Sequence, residues 1–432
     1  MNKRILLFIL ISCSAGSSFA QNVKEVIASF NDTAIILSEE APLAADPIMA
    51  KKWNQFKTKW FSLNIGAALI LDYNTISQDA NNLDQVGKIE PATEFRGQRL
   101  VFSGNIFFAK HPWRYMISAN YNGLDAPQNN KNFSFIDWNF EIPFGKKGGW
   151  LTIGKQKEGV GHEYVAPGTQ LGFTERGSGV PMFVRQRNIG IRYSNSILDK
   201  RLTWTLGLFN NYWETGKSFS DNGSQITVRV TGLPDYKSDR DLLHTAIGFR
   251  HSGATDGKLS YKAKPEANTA PSFINTGSFE ASQSNILMLE LIKVNGPISF
   301  IGEYMNNFVK SSVVGNPSFN YWQVGGSWFI TGENRKYNRN NGNLGKLIPK
   351  SNFRLKKKNR GTGAFELGMR YTYSDLQNGI INGGTFGRFT GAFSWYPNSH
   401  FRYEINYGYG TLNKDDLKGN ANFWQFRAQF EL

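Results

Sequence analysis

The sequence predicts an all-β fold, a transmembrane antiparallel β-barrel of about sixteen strands. Three observations predict it: an export signal, a repeated two-residue alternation of greasy and polar side chains, and connections that alternate between short and long.

The export signal occupies residues 1–20. Lys3 and Arg4 form a basic start, residues 5–11 an apolar core, and Ser18, Phe19 and Ala20 a small-x-small cleavage site before Gln21. The one cysteine, Cys13, follows Leu10, Ile11 and Ser12 in a stretch that also resembles a lipoprotein-processing box, but the apolar run before it is short and the site at Ala20 fits better. Cleavage after Ala20 leaves a mature chain with no thiol, which excludes disulfides and cysteine metal sites. Residues 21–57 read as an N-terminal periplasmic segment, basic over 51–59 as a helix or tail would be, and 58–432 as the barrel. No later stretch reaches the roughly 18–20 apolar residues that a spanning helix needs.

Alternation places lipid-facing and lumen-facing side chains in turn along a strand of about nine to eleven residues. Trp424, Phe426, Ala428, Phe430 and Leu432 share one face, opposite Gln425, Arg427, Gln429 and Glu431. Phe401, Tyr403, Ile405, Tyr407 and Tyr409 oppose Arg402, Glu404, Asn406 and Gly408; Phe365, Leu367, Met369, Tyr371 and Tyr373 oppose Glu366, Gly368, Arg370 and Thr372; Ile136, Trp138, Phe140, Ile142 and Phe144 oppose Asp137, Asn139, Glu141 and Pro143. At 40% hydrophobic content, chance supplies roughly half of one such nine-residue run in the chain, so four are a signal. Looser versions occur at 61–73, 100–108, 113–121, 202–208, 287–291, 298–304, 322–330 and 389–395. Weaker segments near Trp150, Ile189, Ile247 and Leu259 bring the count to about sixteen.

Short links at 110–112, 145–149, 195–200, 252–256, 295–297 and 397–400 read as periplasmic turns. Longer polar stretches at 75–94, 123–132, 158–184, 211–242, 266–284, 309–320, 375–385 and 411–420 read as external loops. Residues 331–362 break the rule. That link should be a short turn, yet it is long and carries ten lysines and arginines, from Arg335 to Arg360, against Glu333. It reads first as a solvated basic loop and second as an anion-collecting lip. Aromatics crowd the strand ends, at Trp113, Tyr121, Trp322, Trp328, Trp395, Tyr407 and Trp424, as interfacial girdles do.

From about Arg96 onward, and most closely after Leu259, a series of short pieces follows in order: Lys264-Pro265-Glu266, Phe273 with Asn275-Thr276-Gly277, Gly296-Pro297, Glu303-Tyr304, Ile330-Thr331-Gly332-Glu333 with Arg335 and Tyr337, Gly363-Ala364-Phe365-Glu366-Leu367 with Arg370-Tyr371, and Trp395-Tyr396. In their order and spacing the chain resembles the phosphate-selective porin O/P family. The resemblance implies a sixteen-stranded barrel in the outer membrane of a Gram-negative bacterium, surrounded by lipid and usually a homotrimer. It further implies a lumen lined by arginines and lysines that passes small anions such as phosphate or polyphosphate, and a third external loop that folds inward, here 158–184. The residues before Arg96 match poorly, and scaffold and selectivity are separate questions.

The face opposite the aromatics carries Arg99, Arg114, Arg192, Arg201, Arg370, Arg388, Arg402 and Arg427, with Glu290, Glu303, Glu366, Glu404 and Glu431 among them. A guanidinium keeps its charge and offers a planar fork of donors to phosphate or carboxylate oxygens, so such residues could pass an anion along; equally, they could pair with the glutamates and fill a polar interior. Lys155, Lys157, Arg176, Arg185 and Arg187 lie in or flank the third loop and are candidates for a constriction. Lys155 and Lys157 share phase with Leu151 and Ile153, so they enter the lumen only if the strand bulges or ends near Gly154.

The formal charge is +15, and +13 once Lys3 and Arg4 leave with the signal, which favours anionic partners. Export and the lack of a nucleic-acid motif argue against nucleic acid. No Gly-x-Ser-x-Gly, Walker loop or paired metal-binding histidines occur, and the five histidines are scattered, so neither enzyme, metal nor cofactor is expected. A general, weakly selective porin and a non-conducting adhesin or partner-binding barrel are the alternatives.

Overall fold

Sixteen antiparallel strands close on themselves in the computed structural model, which describes residues 53–122, 124, 133–145, 147–210, 224–355 and 360–432. In chain order they are β1 (Ser62–Gln78), β2 (Ala92–Ile106), β3 (Trp113–Tyr121), β4 (Phe133–Pro143), β5 (Trp150–Gln156), β6 (Asn188–Ile197), β7 (Leu202–Asn210) and β8 (Gln225–Ser238), then β9 (Asp241–Gly253), β10 (Gln283–Asn295), β11 (Ile298–Lys310), β12 (Ser318–Phe329), β13 (Ala364–Asn378), β14 (Ile381–Tyr396), β15 (Phe401–Lys414) and β16 (Leu417–Glu431). Each pairs with its neighbours in sequence, and β1 pairs with β16 from Ala68↔Glu431 to Gln78↔Ala421. Closure satisfies every edge, as backbone N–H and C=O groups at membrane depth require. The expected signal at 1–20, most of the segment at 21–57, and the sequence-read loop at 123–132 apart from Leu124 lie outside the described residues. Residues 55–57 of the basic stretch form a short strand against the start of β1.

The alternation does what the sequence predicts of it. On β15, Phe401, Tyr403, Ile405, Tyr407 and Tyr409 are exposed on the outer wall while Arg402, Glu404 and Asn406 are buried inside. Four connection assignments need correction. Residues 225–238, read as loop, are strand β8: Ile226, Val228 and Val230 alternate against Gln225, Thr227 and Arg229, but Gly232 and Pro234 cut the pattern short. The segment near Leu259, read as a wall strand, instead belongs to a hairpin (Lys258–Ala263 with Ile274–Glu280) outside the barrel sheet, so 252–256 is no periplasmic turn and 254–282 is one long loop. These two errors cancelled in the count of sixteen.

Residues 375–385 and 411–420, read as long loops, are mostly strand and turn through Gly379–Ile380 and Asp415–Asp416. Gly379 (φ 58°) opens the first turn, and Asp415 and Asp416 (φ 54° and 60°) form the second, the residue types that primed hairpin turns demand. At these tips Leu376, Ile381, Leu412 and Ala421 face inward onto the apolar core and the outer face is polar, an inverted phase that had disguised the strands.

Three segments fill the interior. Residues 157–187, the third loop, fold inward as the resemblance implies and pack so closely on β12 that a β-carbon at Gly179 would collide with the Tyr321 ring. The hairpin of loop 254–282 enters from the same rim, with Phe273 against Phe386 and Phe423 at ring-centre distances of 5.3 and 6.2 Å. Together they make one apolar core with Val160, Tyr164, Phe183 and Tyr261. The long link 330–363 enters from the opposite rim, where the turns and both ends of the sheet lie. Its hairpin (Tyr337–Asn338 with Asn343–Leu344) buries Tyr337 and Leu344 on Leu233, Leu242, Ile292 and Val294.

The expectation of a solvated basic loop holds for Lys336, Lys350, Arg354 and Arg360, which are exposed, but not for the whole link. Arg335 is buried against Glu366 at 2.7 Å and Tyr396 at 3.0 Å, because apolar residues between its charges anchor the chain inside. Lys356, Lys357 and Lys358 lie outside the described residues. Gly179→Leu is expected to unseat the third loop at a cost of about 1–3 kcal/mol, read as a lower urea unfolding midpoint. An unchanged midpoint would mean that the loop is not clamped at Tyr321.

Candidate functional site

The inward segments cover one wall of the cylinder more than the other. On β13 to β16 the lumen-facing residues, among them Arg370, Arg388, Glu404 and Arg427, are buried beneath loops. On β2 to β7, Ser103, Asn105, Arg114, Glu141, Arg192 and Thr205 keep partial exposure, so the water-accessible side of the lumen runs along these strands.

Cations gather at the buried head of that side. A β-bulge at Arg96, where Ile70 pairs with Gly97 and Leu71 with Phe95, re-aims the strand so that both Arg96 and Arg99 are buried in the interior. Arg96 forks Glu175 of the third loop, Nε to Oε1 at 2.6 Å and Nη2 to Oε2 at 3.0 Å. Arg187 forks Asp137 of β4 at 2.5 and 3.1 Å, and Ser118 donates to the same carboxylate at 2.8 Å. Lys157 donates to the carbonyls of Val165 and Ala166 at 2.9 and 3.0 Å, and Arg176 to those of Glu163 and Ala166 at 2.8 and 2.7 Å.

Arg99 is different. It is 5% exposed, its electrostatic neighbours are Arg187, Arg96, Asp137 and Arg176, and its Nε and Nη1 have no hydrogen-bond partner among the described residues. Arg96 and Arg187 are thus spent on carboxylates and Lys157 and Arg176 on carbonyls, while Arg99 keeps two donors without a partner among the described residues. An isolated buried charge is costly, so the arrangement suits an anion arriving from outside. Burial holds the loop imidazole of His162 down at about 3, so it is neutral at physiological pH and adds no charge here.

The other sequence candidates lie outside these forks, with Lys155 an electrostatic neighbour of Arg187 and Asp137, and Arg427 3.6 Å from Glu175. Lys155 keeps the lipid-facing register, opposite Trp138 and Ile189. Gly154 (φ 123°) does not reset that phase, and only Lys157, past the end of β5, turns inward. Arg185 is exposed. Arg114 pairs with Glu141 at 2.9 Å and lies over the Trp150 ring at 3.5 Å. Arg192 donates to the Lys157 carbonyl at 3.3 Å. Arg370 bridges Glu163 (2.9 Å) and Glu266 (2.6 Å), Arg427 forks Asp72 at 2.8 and 2.6 Å, and Arg402 pairs with Glu404 and donates to the Leu171 carbonyl at 2.6 Å. Arg388 holds the carbonyls of Pro265 and Glu266. Arg370, Arg388 and Arg402 anchor the inward loops to the wall, and the Arg427–Asp72 fork joins β16 to β1.

A family model described as phosphate-selective porin O and P matches residues 64–432. The chain belongs to that porin family. Among solved structures, the porin is similar to an anion-selective porin from Comamonas acidovorans (12% identity, TM-score 0.55, covering 86% of this chain and 100% of that one). It is also similar to the outer membrane channel DcaP of Acinetobacter baumannii (12%, 0.52, 87% and 99%) and to the trimer form of OmpT from Vibrio cholerae (10%, 0.51, 86% and 100%). At such identities the likeness concerns the fold. An uncharacterized protein of Caulobacter vibrioides is 24% identical over 278 residues, 61% of this chain and 54% of that one, so the porin spans about half the length of the curated relative it matches. Family and fold place this porin in the outer membrane of a Gram-negative bacterium, and they point to a channel rather than an enzyme.

Sequence reasoning missed Arg96, Arg229 and Arg250 as lumen residues of the porin. Arg229 forks Glu290 at 2.8 and 2.6 Å, and His244 reaches the same carboxylate at 3.3 Å while its Nδ1 meets the Tyr337 hydroxyl at 2.6 Å. Arg250 forks Glu158 at 2.5 and 3.0 Å. The phase of Val228 and of Phe249 signals both arginines once their strands are recognised. Arg96 has no such signal, because a bulge leaves no mark in a two-residue rhythm.

Proposed function

We propose that this porin passes small anions, phosphate and polyphosphate among them, along the β2 to β7 side of its lumen, with Arg99 as the group that draws them in. The observation that carries the reading is the pair of donors, Nε and Nη1, unpartnered among the described residues on buried Arg99 amid Arg187, Arg96 and Arg176. Such a fork matches phosphate oxygens, and a cationic lining concentrates anions in a narrow water-filled space. The net charge of the chain and the description of the Comamonas neighbour as anion-selective agree with it. A homotrimer is proposed by analogy with the trimer form of the Vibrio neighbour.

The packed interior supports a second reading, a barrel that conducts poorly until one of its inward segments withdraws. Purified porin in a planar bilayer under a potassium chloride gradient is expected to give a reversal potential of anion-selective sign, and millimolar phosphate is expected to block the chloride current. A reversal potential near zero would favour a general porin, and no current at all would favour the closed barrel.

A further inference from the structure

At the turn rim the link 330–363 does not stay inside the barrel. Leu347 is buried on Phe329, Ala364 and Tyr396, but beyond it the chain leaves the lumen and folds over the rim onto the outer wall. Phe353 donates its backbone N–H to the Pro397 carbonyl at 2.6 Å and sets its ring edge-on against Trp395, centre to centre 5.2 Å. Trp395 donates its indole N–H to the Thr362 carbonyl at 2.9 Å, and the Arg354 N–H meets the Gly361 carbonyl at 2.9 Å, so both arms of this elbow are pinned. Trp395 belongs to the lipid-facing row of β14, stacked between Phe365 of β13 (6.3 Å) and Tyr403 of β15 (5.7 Å). The elbow therefore stands at the level of the aromatic girdle, where acyl chains give way to headgroups.

Its composition fits that level. Leu355 is 82% exposed, close to exposed Phe353. Lys350, Arg354 and Arg360 are exposed too, with no carboxylate partner among the described residues. No Asp or Glu occurs between Glu333 and Glu366, and Glu333 itself is buried, its Oε1 accepting from the Lys350 backbone N–H at 3.1 Å. Inside the barrel, by contrast, the same link spends Arg335 on Glu366 and Lys346 on Glu431. Exposed apolar side chains beside unpaired cations are what an interfacial segment presents: the apolar groups enter the edge of the acyl region, and the long basic side chains reach back to the phosphates.

We propose that this elbow binds the headgroups of anionic glycerophospholipids in the leaflet at the turn rim, gathering such lipid beside β13 to β15. An acidic protein would approach from the aqueous side, whereas the contact of Phe353 with Trp395 turns the elbow toward the wall. The site does not depend on what the lumen conducts.

The test uses the full-length protein carrying Cys13→Ser and Ser351→Cys, with a fluorophore attached at position 351. It is reconstituted in phosphatidylcholine vesicles containing a small fraction of either phosphatidylglycerol or phosphatidylcholine that bears a nitroxide near the glycerol. Nitroxide-bearing phosphatidylglycerol is expected to quench with at least about tenfold greater apparent affinity than its phosphatidylcholine counterpart, since each cation near a membrane surface favours anionic lipid by roughly fivefold. Molar salt should abolish the difference. The combined Lys350→Gln, Arg354→Gln and Arg360→Gln should lower the preference by at least about fivefold. Lys258→Gln with Lys262→Gln, exposed cations of the hairpin at the opposite rim, should leave it unchanged. Equal quenching by the two lipids, a preference that survives loss of the three elbow cations or falls as far with the two at the other rim, or no quenching by either lipid, which would turn the elbow toward an aqueous partner, would each overturn the proposal.

Discussion

In a bilayer under a salt gradient, Arg99→Glu is expected to lose the anion preference of the unaltered porin, and phosphate block of its chloride current should disappear. Two unit charges about 6 Å apart interact by about 3 kcal/mol at an effective dielectric near 20, and the substitution changes the local charge by two. A shift of that size is worth more than a hundredfold in the occupancy of a nearby anion. Arg99→Gln should give the intermediate case, with phosphate block weakened by roughly ten- to hundredfold for one charge-assisted hydrogen bond. Because Arg99 makes no bond through Nε or Nη1, Arg99→Gln should fold normally, with a urea midpoint equal to or above that of the unaltered protein, since a buried charge is being removed. A retained phosphate block in both variants would move the selective contact elsewhere in the lumen. A collapse of stability would make Arg99 a structural residue.

Excision of residues 336–346, with a two-glycine bridge, is expected to raise single-channel conductance by roughly threefold or more, because current follows the water-filled cross-section and this hairpin fills the turn-rim end of the lumen. The excision removes Tyr337 from His244 and the carbonyls of Asn341 and Gly342 from Arg229, but Arg229 keeps its fork on Glu290. The wall strands lose no pairing, so insertion and closure should survive, as a heat-modifiable band on a gel would show. Unchanged conductance would mean that ions do not pass the hairpin.

The wall of this protein was legible in its sequence because lipid on one side and water on the other leave a rhythm that no soluble surface requires. The four uninterrupted runs, on β4, β13, β15 and β16, fall where that contrast is sharpest. Legibility failed where it vanishes. β8 ends in Gly232 and Pro234, the tips of β13 to β16 turn Leu376, Ile381, Leu412 and Ala421 inward and polar residues outward, and the hairpin beginning at Lys258 alternates against a core rather than against lipid. The cationic cluster was half legible. Phase alone marked Arg99, and the end of β5 let Lys157 in, but which arginines are spent on carboxylates depends on where the third loop lands. Nothing in the spacing of Arg370 and Arg427 announces Glu163, Glu266 or Asp72 as their partners. The link 330–363 was misjudged because its charges were counted and its anchors, Tyr337, Leu344 and Leu347, were not.

The unequal strands have a consequence for approach from bulk solution. β13 to β16 run for 14 to 16 residues, while β3 and β5 run for nine and seven. At about 3.3 Å per residue and a tilt near 45°, this is roughly 35 Å of height against 15–20 Å. Measured by its described strands, the cylinder is cut obliquely, like a quill, with its low lip over β3 and β5, beside the long strand β2 that carries Arg96 and Arg99. A solute reaching the low lip meets the charged side first, whereas a bulky polymer resting on the high lip stands clear of it.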